Sequence, residues 1–182
     1  LSNDHGHGIR ILMTRLDISK LHRATNVMSN GRLGATVIYN DSEIFYDVGV
    51  RMRASGYGRR GSLAGFNIQF DPMQLFRGVH KTIALDRGAV FSNGNGSGVR
   101  GVPGASPHEL LIYQIANHAG GIGAMYDDIV FVDAPRSANT GMALLKMARY
   151  SSVYLDSQFE DGGDGTIFKY ELIYHATNTS NG

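Results

Sequence analysis

Eleven residues, 43–53, leave the chain little choice of local structure: Glu-Ile-Phe-Tyr-Asp-Val-Gly-Val-Arg-Met-Arg. Apolar and polar side chains alternate along the run, which is the period of a strand with one buried face. The alternation sends Ile44, Tyr46, Val48, Val50 and Met52 to one side, and Phe45, Asp47, Gly49, Arg51 and Arg53 to the other. A glycine-rich loop (54–62) follows, and then Phe66, Ile68 and Phe70 alternate with Asn67, Gln69 and Asp71 to give a second strand. Asp71-Pro72 interrupts it, and residues 79–85 supply a third extended run. Three successive strands with short connections predict an antiparallel meander.

The first connection of that meander carries Arg51, Arg53, Arg59 and Arg60 with no acid between them. Guanidinium groups bind phosphate oxygens in bidentate fashion, so these four are the candidate phosphate- or nucleotide-binding residues. The bland reading is a solvated positive sheet edge that discourages edge-to-edge association. The chain as a whole offers no such push, because its net charge is +1. Any argument for a polyanionic partner must therefore be local, and nucleic acid is not expected.

At 182 residues, with 42% apolar and 18% charged side chains, the sequence describes a single globular domain. It has no cysteine, which excludes disulfides and thiolate metal sites. No apolar run approaches the ~20 residues of a spanning helix. The chain begins at Leu1, which reads as a processed or excerpted piece of a longer protein.

The remaining segments place themselves around the meander. Residues 1–8 hold Asp4, His5 and His7, a conceivable metal set that reads better as a frayed terminus. A strand is expected over 9–16, a short helix capped by Asp17 up to Arg23, and a strand over 35–39 leading through the turn Asn40-Asp41-Ser42. Residues 91–105 have glycine at 94, 96, 98, 101 and 104, but match neither phosphate-binding loop pattern and read as a surface excursion. Ser106, Pro107 and Glu109 form a capping box opening a helix that Gly120-Gly121 ends. That helix is expected to pack on the sheet face carrying Val48, Val50 and Ile68. His108 and His118, ten residues apart on it, are expected to be exposed or capping. Strands over 129–132 and 142–147, a helical turn over 152–159 and a last strand over 166–174 complete the reading. Between the last two, the acidic turn 160–165 makes Asp161 and Asp164 the metal candidates, for calcium, against a solvated hairpin turn.

Several of these segments resemble, in order, the first half of the spore-coat protein H (CotH) family. They are Val-Ile-Tyr-Asn (37–40), Tyr-Asp-Val-Gly-Val-Arg-Met-Arg-Ala-Ser (46–55), Phe-Asn-Ile-Gln-Phe-Asp (66–71) and Phe-Arg-Gly-Val-His-Lys-Thr-Ile-Ala-Leu (76–85), with Gly-Met-Ala-Leu-Leu (141–145) and Gly-Thr-Ile-Phe-Lys (165–169) beyond. The resemblance implies an α+β fold: a mostly antiparallel sheet with one main packed helix, like a kinase-like N-terminal lobe. It also implies partner protein chains and an extracellular, surface- or coat-associated setting, with ATP and magnesium as cofactors only if the kinase reading holds. It departs from the family at Ala64 and Gly65, where a Lys is usual, and at Met147, where a Glu is usual. Lys146 adjoins Met147 but would point to the opposite strand face. A Lys–Glu pair of this kind positions phosphates, so no catalytic residue is assigned. Three functions follow: a non-catalytic structural or assembly module of a larger protein, the ATP-binding lobe of a kinase whose carboxylates lie elsewhere, or a calcium- or glycan-binding β-rich module.

Overall fold

Apolar side chains at every second position build seven strands in the computed structural model, which describes residues 8–53, 59–87, 107–120, 127–147 and 151–168. They are β1 (Gly8–Leu12), β2 (Leu33–Tyr39), β3 (Glu43–Arg53), β4 (Gly65–Gln69), β5 (Thr82–Asp86), β6 (Asp127–Asp133) and β7 (Gly141–Lys146). Their order is β1-β2-β3-β4-β5-β7-β6, and β6 returns to β1 to close a barrel. The closing pair is parallel, with Gly8 opposite Phe131 and Arg10 opposite Asp133; every other neighbour is antiparallel.

This overturns the expected α+β fold, a mostly antiparallel sheet with one main packed helix like a kinase-like N-terminal lobe: the sheet closes into a barrel with three short helices among the described residues. The meander β3-β4-β5 is present as read, but it is an arc of a closed wall. Alternation along a chain reports strands and hairpins; it does not report that β1 and β6, far apart in sequence, will pair. Among the described strands, closure leaves no edge strand: each has a neighbour on both sides.

The barrel interior holds Ile9, Ile11, Val37, Val48, Val50, Met52, Phe66, Ile68, Ile83, Leu85, Val132 and Leu145, all at most 2% exposed. Burying each such side chain stabilises by about 1.5–3 kcal/mol. The phase of β3 differs from the sequence reading. Phe45 is inside and 3% exposed, while Ile44 and Tyr46 are 40% and 60% exposed. The register explains it: Ala35 faces Val48, yet Val37 faces Phe45, so β3 carries one extra residue. Asp47, at φ 51°, takes up that residue in a left-handed bulge. A bulge switches the face that later side chains occupy, and the alternation before it is read backwards.

Each end of the barrel is plugged differently. At the lower end, Phe76 is fully buried among Tyr39, Phe45 and Phe70, with ring centroids 5.0, 5.8 and 5.4 Å away. Arg77 covers this plug, lying over the Tyr39 and Phe76 rings and donating to the Tyr39 hydroxyl at 2.6 Å. At the upper end, helix α1 (Arg15–His22) inserts Leu21 into the core, and Val27 of the following loop is also buried. The α1 cap is Thr14, not Asp17: the Thr14 hydroxyl accepts from the Asp17 amide at 3.1 Å and donates to its carboxylate at 2.7 Å. That cap stops β1 at Leu12, short of the expected residue 16.

Two further helices, α2 (Pro107–Ala119) and α3 (Ser152–Gln158), lie where helical patterns were read. The expected docking of α2 is wrong. Val48, Val50 and Ile68 face the barrel interior, and α2 instead meets the outside of β6 and β7, with its Tyr113 ring 6.0 Å from Lys146 Nζ. Its Leu111, Ile112 and Ile115 are 56–62% exposed. Thr166 to Phe168 are not in a strand, and the rest of that expected strand lies outside the described residues, as do Ser106, the 91–105 excursion and the Asp4, His5 and His7 set. No helix among the described residues is long and apolar enough to cross a membrane.

Candidate functional site: a cationic barrel mouth

Strand direction decides which charged residues meet. β1, β3, β5 and β6 run toward the upper end, and β2, β4 and β7 run away from it. Among the described residues the upper loops and strand ends therefore gather ten cations, of which Arg59 and Arg87 are buried: Arg15, Lys20, Arg23, Arg32, Arg51, Arg53, Arg59, Arg60, Arg87 and Arg136. Among the described residues three acids share that end, Asp17, Asp86 and Asp133. Among the described residues the lower end holds Asp41, Glu43, Asp47, Asp71 and Asp128 against Arg77, Lys81 and Lys146, while Arg10, midway along β1, pairs with both Asp133 at 3.3 Å and Asp41 at 3.2 Å. Within a chain of net charge +1, the described residues thus concentrate cations at the upper end.

The four arginines singled out in the sequence do share this mouth, in separate roles. Arg53 faces Gly65 of β4 in register, and its Nε and Nη2 both donate to Asp86 Oδ2 at 3.2 and 3.1 Å. Arg59 is buried and holds the α1–β2 loop: Nη1 donates to the carbonyls of Val27 and Ser29, each at 3.2 Å, and Nη2 to Asn30 Oδ1 at 3.2 Å. Arg51 Nη1 donates to the same Asn30 oxygen at 2.8 Å. Arg60 is exposed beside them. Arg51 and Arg59 therefore converge on one acceptor, and that convergence shapes the loop.

The loop so held forms one wall of an open cleft of about 160 Å³, lined by Lys20, Asn26, Ser29, Gly31, Arg32 and Leu33, with Leu21 and Met52 at its base. Lys20 and Arg32 supply charge, Asn26 and Ser29 supply polar groups, and the base is apolar. Arg32 was not singled out in the sequence. Its stem lies flat on Gly49 of β3, where an added Cβ would come within 2.8 Å of Arg32 Cδ. A glycine inside an alternating strand is the signal that a neighbour approaches closely.

His22, at the end of α1, has its pKa lowered, first by burial and then by the charge of Arg136. Its Nε2 is buried without a partner. His80, at the lower end, is lowered in the same way by burial and by Arg77. In both, burial and a neighbouring arginine favour the neutral imidazole.

The acidic turn places Asp161 in the left-handed region at φ 57° and Asp164 in a 3-10 turn, Gly162–Asp164. Among the described residues no three His, Asp or Glu side chains gather to hold a metal ion. Ala64 is fully buried, and a side chain at Gly65 would meet the Leu85 carbonyl oxygen at 2.0 Å. Met147 packs in the core, and Lys146 lies on the outer face, as the strand geometry required. His118 is exposed, its Nδ1 2.9 Å from the Gln114 carbonyl oxygen. No protein-family model matches the chain, and no curated protein matches it.

Proposed function

We propose that the chain is a non-catalytic binding module that holds an acidic segment of a partner protein against its cationic upper end, within a larger assembly. The observation that carries this reading is the segregation of charge: among the described residues, eight cations that are not buried share the upper end of a nearly neutral chain with three acids. A surface of one sign steers and orients an oppositely charged partner. The cleft beside Arg32 and Lys20 adds an apolar base on which an aliphatic or aromatic side chain of that segment can rest. The spore-coat resemblance agrees with an assembly role and not with phosphoryl transfer. Where it leads one to expect a phosphate-positioning Lys–Glu pair, the chain has a buried alanine, a glycine with no room for a side chain, and a core methionine.

Calorimetry with a glutamate-rich peptide containing one leucine tests the proposal. Binding with Kd on the order of 10–100 μM at ~50 mM salt is expected, weakening at least ~10-fold at ~0.3 M salt, where exposed charges are well screened. Arg32→Ala combined with Lys20→Ala should remove most of the heat. ATP or a short oligonucleotide binding more tightly than the peptide, or no heat from any of them, would overturn the reading.

A further inference from the structure

Arg87, one residue beyond β5, is 5% exposed, yet among the described residues no carboxylate pairs with it. Its Nη1 donates to the Asn139 carbonyl at 2.8 Å, and its Nε finds no acceptor. A buried guanidinium without counter-charge is among the most costly groups a fold can carry. Asn139 itself is 2% exposed. Its Nδ2 donates to the carbonyls of Gly61 and Ser62 at 3.1 and 3.3 Å, which fixes the amide's orientation and leaves Oδ1 also without a partner. Gly141, at φ 141°, completes the arrangement. An added Cβ there would lie 2.6 Å from Arg87 Nη1 and 3.1 Å from Nη2, so the guanidinium occupies the space of a missing side chain. Orphaned buried donors in a native protein point to a bound water or ion.

We propose that Arg87, Asn139 and Gly141 form an internal site for a small monovalent anion, accepted at Arg87 Nε. The anion supplies the counter-charge that no described carboxylate gives. A water that donates one hydrogen to Asn139 Oδ1 and the other to the anion satisfies both orphans together. Burial lowers the Arg87 pKa from its ordinary value, but an arginine starts high enough to remain charged and to keep its demand for an anion. The site is separate from the cleft at Arg32 and does not depend on an acidic partner.

The test is the melting temperature of the full chain in sodium chloride against sodium gluconate at equal ionic strength. Chloride at roughly a hundred times its Kd should raise Tm by about 5–10 °C over gluconate. Arg87→Met should abolish that difference, and Arg32→Ala should keep it. Bromide soaked into crystals of the full chain should appear within hydrogen-bond reach of Arg87 Nε, which decides the matter even if Arg87→Met does not fold. Equal Tm in the two salts, or bromide only on exposed arginines with water at Nε, would overturn the proposal.

Discussion

His22 shows how little of a residue's chemistry its identity conveys. In the sequence it is one polar position near the end of a short helix; in the structure it lies between a buried helix face and Arg136. Its folded pKa, and that of His80, falls below the unfolded value near 6.5. Protonation therefore favours the unfolded state. The stability these residues contribute is complete above pH ~6.5 and is lost as pH falls from there through the lowered folded values. Urea unfolding at pH 7.5, 6.5 and 5.5 should show a declining midpoint, and His22→Gln with His80→Gln should flatten it. A midpoint unchanged across that range in the parent chain would contradict the burial of both imidazoles. The arginines divide in the same way: Arg51, Arg53, Arg59 and Arg60 were legible as a group, but only contacts separate the loop-holding Arg59 from the Asp86-paired Arg53.

Most strands and helices were legible as spans, because period 2 and period 3.6 survive in single sequences, although β1 ends short of residue 16 and Thr166 to Phe168 form no strand. Their partners and phases were less so. The bulge at Asp47 needs a residue that tolerates φ > 0, and aspartate is one of several that do. Nothing local marks it, so Phe45 and Ile44 exchange faces relative to a straight strand. Phe45→Ala should cost about 3–5 kcal/mol by denaturant titration, as for a buried aromatic. Ile44→Ala, at an exposed position, should stay within about 0.5 kcal/mol. The reverse order would remove the bulge from the account. Helix α2 was recognised from its proline and its leucine spacing, yet its apolar residues did not reveal the surface it meets. The face it was assigned was already filled from inside the barrel.

At the scale of the whole molecule, closure is what turns scattered charges into a face. An open sheet would spread the loops of 13–32, 59–64 and 134–140 along one edge. The β1–β6 pair brings them around a single mouth, above the cleft formed by Lys20, Ser29 and Arg32. Composition could not show this, since a net charge of +1 is compatible with any arrangement. The direct measurement is amide chemical-shift mapping of the labelled chain titrated with the glutamate-rich peptide at low salt. Shifts concentrated on Lys20, Ser29, Gly31, Arg32 and Leu33, with Asp41, Asp71 and Gly78 at the lower end unmoved, are the expected result. Shifts centred on the lower end, or spread evenly over both, would contradict the claim that the upper mouth is the binding face.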